Sequence, residues 1–207
     1  MSHKSGFVNI IGRPNVGKST LMNTLVGQRM SIITSKPQTT RHRIIGIVSG
    51  DDYQIVFSDT PGMIKDPSYK MHHAMNRFAH SSFEDADIMI FMIDPYENYE
   101  LDDPIIEKLK AVEVPLFLVI NKTDLVEPAR ILALIQKWSA IANFAEIFPI
   151  SALKEDNTPE LVKYITKHLP EDPVYYPKDQ LTDKNERFFI SEIIREKILL
   201  LYRQEIP

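Results

Sequence analysis

The octapeptide GRPNVGKS at residues 12–19 constrains this chain more than any other feature. It matches the phosphate-loop pattern G-x-x-x-x-G-K-[ST], and the apolar run Phe7–Ile11 before it predicts a strand that leads into the loop. In such a loop the glycines let successive N–H groups point at phosphate oxygens, the lysine binds the β- and γ-phosphates, and the hydroxyl binds Mg²⁺. The predicted phosphate-binding residues are Asn15, Val16, Gly17, Lys18, Ser19 and Thr20.

Strand-like and helix-like segments alternate along the chain, which predicts an α/β fold with a six-stranded, mainly parallel sheet and helices on both faces. The predicted strands are Phe7–Ile11, Arg43–Ser49, Tyr53–Ser58, Ile88–Asp94, Pro115–Ile120 and Glu146–Ile150. The predicted helices are Lys18–Val26, Tyr69–Phe83, Pro104–Ala111, Pro128–Ile141 and Pro159–His168. Only three residues, 50–52, separate the second and third strands, so a hairpin should make one strand antiparallel.

Composition narrows the function classes. A net charge of −4 argues against bulk, nonspecific nucleic-acid binding, and the lack of cysteine excludes disulfides and zinc–thiolate sites. The longest apolar run, Ile88–Ile93, is far below the roughly 20 residues of a membrane-spanning helix, and no secretory signal is apparent. We therefore expect a cytoplasmic protein.

Two later segments complete a γ-phosphate and Mg²⁺ site. In DTPG, residues 59–62, Asp59 leaves a strand and can hold Mg²⁺, while Gly62 can offer its N–H to the γ-phosphate. In SKPQTTRHR, residues 35–43, we expect Thr40 to close over Mg²⁺, with Thr39 as a near alternative. The other interpretation is that these are ordinary polar loop residues. The predicted metal ligands are thus Ser19, Thr40 and Asp59, and the predicted catalytic residues are Lys18, Thr40 and Gly62.

The tetrapeptide NKTD, residues 121–124, predicts that the base is guanine. Asp124 can accept hydrogen bonds from both N–H groups on the pyrimidine edge of guanine, a pair of donors that adenine lacks. Asn121 should tie this loop to the phosphate loop, and Lys122 can lay its aliphatic stem on the ring. In the later tripeptide Ser151–Leu153, Ala152 is expected to donate its N–H to the guanine oxygen. All these loops follow strands, at the edge where open α/β sheets bind ligands.

The chain changes character after Leu169. Residues 170–187 contain three prolines and many charges, which predicts a linker between residues 1–169 and a helix in residues 188–207. The segment Phe188–Tyr202 carries too much apolar surface for a helix standing alone in water. It should pack on a further domain, on the first domain, or on a second copy of the chain, so the protein is either a monomer or weakly self-associating.

The five motifs GRPNVGKS, SKPQTTRHR, DTPG, NKTD and SAL, together with YYPKDQLTDKNERFFISEIIREKI, resemble the Era-like family of translation-factor-related GTPases over essentially the whole chain. The resemblance implies a Ras-like P-loop GTPase fold that binds GTP or GDP with Mg²⁺ and hydrolyses GTP. It also implies a role in maturing the small ribosomal subunit, association with its ribosomal RNA, and peripheral contact with the inner face of the cell membrane. Residues 188–207 would be the first helix of a KH-type RNA-binding domain. Because the sequence stops before a GXXG loop, a GTP-controlled partner-binding module or a GTPase of tRNA modification remains an alternative.

Hydrolysis should be slow without help. Met63 stands where many such proteins have a glutamine that orients the attacking water, and Arg41 and Arg43 are unsupported candidates for an arginine finger. By resemblance, Asn15 either ligates a K⁺ ion that bridges the phosphates or only shapes the loop.

Overall fold

The computed structural model describes residues 3–34, 39–40, 42–62, 83, 85–100 and 102–202. Within them, one six-stranded sheet consists of β1 (Lys4–Ile11), β2 (Ile44–Ser49), β3 (Tyr53–Asp59), β4 (Ile88–Ile93), β5 (Leu116–Ile120) and β6 (Glu146–Pro149). The strand order is β2-β3-β1-β4-β5-β6. Only the β2–β3 pair is antiparallel, which confirms the predicted hairpin and the mainly parallel sheet.

Five α-helices lie in the described part of the chain. They are α1 (Lys18–Val26), α2 (Pro104–Lys110), α3 (Pro128–Ser139), α4 (Thr158–His168) and α5 (Glu186–Leu201). The predicted helix Tyr69–Phe83 lies outside the described residues except for Phe83. None of the helices that the structure describes is long and apolar enough to span a bilayer.

The strand and helix boundaries agree with the predicted ones to within three residues, and α1 has the predicted bounds. Helix α5 begins two residues earlier than predicted, at Glu186 rather than Phe188. The cause is local, because the Asn185 side chain accepts a hydrogen bond from the Phe188 N–H at 3.0 Å and so caps the first turn.

Two apolar clusters cover opposite faces of the sheet, as predicted. Leu21 of α1 and Leu161 of α4 pack on one face. Trp138 of α3 and Ile106 of α2 pack on the other. Because both faces are covered, the central strands are continuously apolar, and polar binding groups are left to the loops at their ends.

The predicted linker is fastened to the sheet edge. Gln54 of β3 is buried, and its side-chain oxygen accepts from the backbone N–H groups of Tyr175 and Tyr176, both at 2.9 Å. Further along, the N–H of Ile47 donates to the carbonyl of Leu181 at 2.8 Å. The segment therefore covers the edge strand β2 and fixes where α5 begins.

Candidate nucleotide site

A cavity of about 510 Å³ opens at the carboxyl ends of the strands. The predicted binding residues that line it are Asn15, Gly17, Lys18, Ser19, Thr20, Thr40, Gly62, Asn121, Lys122, Asp124, Ser151 and Leu153. Val16, Asp59 and Ala152 do not line it. The fold thus brings motifs from five separate parts of the chain to one cleft, at the place expected for an open α/β sheet.

Two glycines are required by close approaches in this cleft. Gly17 has a φ of 107°, and a Cβ there would lie 2.2 Å from Asn121 Nδ2. A Cβ on Gly62 would lie 2.6 Å from the backbone nitrogen of Pro14. Any side chain at either position would therefore separate the phosphate loop from a neighbouring binding loop.

Lys18 lies at the start of α1 with its ammonium group folded back on the phosphate loop. Its Nζ donates to the carbonyls of Gly12 at 3.0 Å and Arg13 at 2.8 Å. Burial lowers the pKa of Lys18 to about 8, although Asp59 and Glu97 oppose the shift. A phosphate in the cavity would supply the negative charge that this buried cation lacks.

Three oxygen-bearing side chains converge beside Lys18. Ser19 Oγ donates to Asp59 Oδ2 at 2.7 Å and lies 3.1 Å from Thr40 Oγ1. Asp59 is fully buried, its Oδ1 has no hydrogen-bond partner among the described residues, and burial raises the pKa of this carboxyl. A hard cation that prefers oxygen ligands would satisfy that oxygen, so the three residues fit Mg²⁺.

The structure separates the two threonines that the sequence left open. Thr40 is the one beside Ser19. The Thr39 hydroxyl instead lies 2.5 Å from that of Thr34, and its carbonyl accepts from Arg195. Thr40 is therefore the threonine placed to contact a cation.

On the base side, Asp124 is held by Ser151. The Ser151 hydroxyl donates to Asp124 Oδ1 at 2.7 Å, and this bond is the main cause that holds the pKa of Asp124 below its usual value. Asp124 is thus an ionised acceptor at neutral pH, as guanine recognition requires.

Asn121 joins three loops, and it explains two residues that miss the cavity. Its Nδ2 donates to the Val16 carbonyl at 2.8 Å, and its Oδ1 accepts from the Ala152 N–H at 2.9 Å. Neither residue lines the cavity, and their contacts with the nucleotide stay predictions. The Val16 side chain is in the core, and the Ala152 N–H is engaged by Asn121, so a guanine oxygen would have to share it.

Arg43 is not placed as an arginine finger. It donates to Ser58 Oγ at 2.5 Å and to Asn9 Oδ1 at 3.2 Å, and it pairs with Asp85. These contacts occupy the guanidinium in a network with β1 and β3. The other candidate, Arg41, and Met63 lie outside the described residues.

Several cavity residues were not found from the sequence. Pro14, Ile32, Ile33, Thr34 and Leu125 line the cavity, and Asp94 pairs with the cavity residue Lys122. Pro14 and Leu125 adjoin motif residues, whereas no local pattern distinguishes the others from ordinary loop or core residues.

The comparisons with known proteins agree with this site. Residues 7–122 match the family of 50S ribosome-binding GTPases. The chain is 49% identical to GTPase Era of Clostridium kluyveri over 205 residues, which is 99% of this chain and 70% of that protein. It is also 49% identical to GTPase Era of Lactobacillus helveticus, over 99% of this chain and 67% of that protein.

Solved structures agree as well. An Aquifex aeolicus Era variant bound to GDP and AlF₄⁻ superposes with a TM-score of 0.89 at 42% identity, covering 99% of this chain and 70% of that one. An Era complex with MgGDPNP and nucleotides 1506–1542 of 16S ribosomal RNA gives 0.90 at 43% identity, with the same coverage. The chain is a P-loop GTPase, and it belongs to the Era family.

Proposed function

We propose that this GTPase acts in the maturation of the small ribosomal subunit, binding ribosomal RNA under the control of GTP. The support comes from the similarity to Era, one member of which was crystallised with both MgGDPNP and a 16S ribosomal RNA segment. In this proposal the nucleotide site changes conformation when GTP is hydrolysed, and helix α5, which follows the sheet in the chain, responds to that change.

The observation that carries the proposal is the contact between α5 and the described residues of the segment 27–43, here called the switch loop. Arg195 donates to the Thr39 carbonyl at 2.6 Å, directly before Thr40. Glu196, next on α5, accepts from the Ile33 N–H at 3.2 Å and pairs with Arg29. Loops held by γ-phosphate and Mg²⁺ relax on hydrolysis, so this contact would pass the nucleotide state to α5.

Mg²⁺ would be held by Ser19, Thr40 and Asp59, and when bound it neutralises charge on the phosphates. Lys18 would hold the β- and γ-phosphates, and the Gly62 N–H would donate to the γ-phosphate. Phosphoryl transfer to water then depends mainly on positioning and charge. With Arg43 engaged elsewhere, we expect slow intrinsic hydrolysis, because an arginine finger is worth about 10³–10⁵ in rate.

K⁺ would act at Asn15. This residue lines the cavity, is exposed, and has a φ of 65°, in the left-handed region. A K⁺ ion bound there would supply part of the missing positive charge. Exchange of NaCl for KCl should raise the hydrolysis rate, and an equal rate in both salts would remove K⁺ from the proposal.

The location proposed is the cytoplasm, with peripheral contact at the inner face of the membrane. The outer face of α5 is apolar and exposed at Ile190, Ile194, Leu200 and Leu201, which supports weak self-association as well. Flotation with anionic vesicles tests the membrane contact, and sedimentation at rising protein concentration tests the self-association.

Cosedimentation with purified small ribosomal subunits tests the main proposal. The protein should pellet with the subunits in a nonhydrolysable GTP analogue and stay in the supernatant in GDP. In cells, its depletion should cause unprocessed small-subunit ribosomal RNA to accumulate. A protein that binds GTP but never pellets, with normal RNA processing on depletion, would contradict the proposal.

That negative result would favour a second candidate, a GTP-controlled module that binds a protein partner, including one in tRNA modification. The same α5 contact supports it, since nucleotide control of α5 does not depend on RNA. The comparison of GTP-loaded and GDP-loaded protein as bait for binding partners would then separate the alternatives.

A further inference from the structure

Asp94 lies directly after β4 and uses both carboxylate oxygens. Its Oδ1 accepts from the backbone N–H of Tyr96 at 2.9 Å, which holds its own turn. Its Oδ2 accepts from Lys122 Nζ at 2.8 Å. Asp94 is only 8% exposed, so this charge-assisted bond is partly shielded from water on the carboxylate side.

Lys122 bonds to the phosphate loop as well as to Asp94. Its Nζ also donates to the Asn15 carbonyl at 2.8 Å, so one ammonium group joins the β4 end to the loop that surrounds the phosphates. Lys122 has a φ of 59° and directly precedes the short 3₁₀ helix Thr123–Leu125, which contains Asp124. With the backbone and the ammonium both fixed, the aliphatic stem between them is held along the cavity wall.

We propose that Asp94 is a positioning residue for the nucleotide. By holding the Lys122 ammonium, it keeps the lysine stem against the face of the base and keeps the base loop joined to the phosphate loop. The inference rests on the proposed guanine nucleotide site. Without Asp94, the side chain of Lys122, already 31% exposed, would keep only the Asn15 carbonyl and would turn toward solvent.

A second set of contacts holds the same loop independently of Asp94, so the role of Asp94 can be tested by itself. Arg13 of the phosphate loop donates to the Asn98 carbonyl at 2.7 Å and to Asp103 at 2.6 Å, and its guanidinium lies 3.9 Å from the centre of the Tyr99 ring. These contacts hold Asn98, Tyr99 and Asp103 against the phosphate loop without Asp94. Asp94→Asn also keeps an oxygen for the Tyr96 N–H, so the substitution weakens the Lys122 contact selectively.

The test is the release rate of a fluorescent GDP analogue from the whole chain. Asp94→Asn should speed release about tenfold, just below the range expected for loss of a fully shielded, charge-assisted bond, because Lys122 is partly exposed. GTP affinity should fall by a similar factor, while the single-turnover rate at saturating GTP changes less than twofold. Asp102→Asn, an exposed acid in the same loop, is the matched control and should release GDP like wild type.

A double-mutant cycle tests whether Asp94 acts through Lys122. In a Lys122→Met background, which keeps the stem length but removes the ammonium, Asp94→Asn should have less than a twofold effect. Lys122→Met alone should speed release at least as much as Asp94→Asn, because it also removes the bond to the Asn15 carbonyl, and it provides the test if Asp94→Asn does not fold. Wild-type release from Asp94→Asn or from Lys122→Met, or an equal effect of Asp94→Asn in both backgrounds, would overturn the inference. Failure of the wild type to bind GDP would instead overturn the proposed function.

Discussion

Arg195 Nη2 donates to the carbonyl of Thr39 at 2.6 Å, across 156 residues of sequence. The acceptor belongs to the residue before Thr40, whose hydroxyl lies beside Ser19 in the candidate Mg²⁺ site. A helix outside the sheet thus contacts the backbone of the switch loop one residue from the position that should sense the γ-phosphate.

Arg195→Gln should weaken binding of a GTP analogue by about three- to tenfold and leave GDP binding within twofold of wild type. The reason is that the contact exists with Thr40 beside Ser19, an arrangement that γ-phosphate and Mg²⁺ would stabilise and GDP would not, and a hydrogen bond typically contributes about 0.5–1.5 kcal/mol net. Equilibrium titration with both nucleotides measures the difference. Arg187→Gln, on the exposed surface of the same helix, is the control. Equal losses for GTP analogue and GDP would show that α5 does not distinguish the two states.

Glu196→Ala should lower the free energy of unfolding by about 1–3 kcal/mol, because it leaves the Ile33 N–H without its acceptor and Arg29 without its partner. Urea denaturation of the nucleotide-free protein measures this change. Glu186→Ala, at the exposed first turn of α5, should cost only about 0.3–1 kcal/mol through the helix dipole. Equal costs for the two variants would mean that α5 is not anchored on the switch loop.

Asp124→Asn should lose the preference for guanine. The amide cannot accept from both guanine N–H groups, but its NH₂ can donate to the extra carbonyl of xanthine, so affinity should move from GTP to XTP. We expect GTP affinity to fall at least 10²-fold, within the roughly 10⁴–10⁵ that such polar pairing provides. Competition binding with the two nucleotides measures the shift. Asp156→Asn, an exposed acid in the neighbouring loop, should keep wild-type preference. Unchanged GTP affinity in Asp124→Asn would remove Asp124 from the base site.

The nucleotide-free protein should become more stable relative to Lys18→Met as pH rises above about 8. Burial lowers the pKa of folded Lys18 to about 8 from 10.5. Between these values the unfolded chain binds more protons than the folded one, so stability increases with pH, by at most about 1.4 kcal/mol per pH unit. Urea denaturation of both proteins from pH 7 to pH 9.5 gives the comparison. A constant difference between them across that range would show that Lys18 keeps its proton.

The sequence predicts the nucleotide-binding motifs but not the hydrogen bonds that join one motif to another. Lys18, Ser19, Asp59 and Asp124 could be placed because each belongs to a short pattern whose spacing is set by a strand followed by a loop. The contacts that Asn121 makes with the Val16 carbonyl and the Ala152 N–H could not be predicted in this way, because only the folded chain brings these groups together.

The contacts of α5 and of Asp94 could not be predicted from short sequence patterns either, because they join residues that are far apart in the chain. Glu196 looks like an ordinary helix residue in the sequence, yet it is fully buried against a loop more than 160 residues away. Asp94 was predicted only as the last residue of a strand, and its partner Lys122 is 28 residues further on. Sequence spacing predicts elements and loops, whereas such pairings depend on how the loops meet at the end of the sheet.

We expect this cleft to bind GTP with Mg²⁺ and to hydrolyse it. Phosphate release under single-turnover conditions, with GTP and ATP compared in the presence of Mg²⁺ or excess EDTA, tests it most directly. We predict release from GTP with Mg²⁺, slow but above the uncatalysed rate, and none from ATP or in EDTA. Equal release from ATP, or release from GTP that EDTA does not affect, would show that the cleft is not a Mg²⁺-dependent GTPase site.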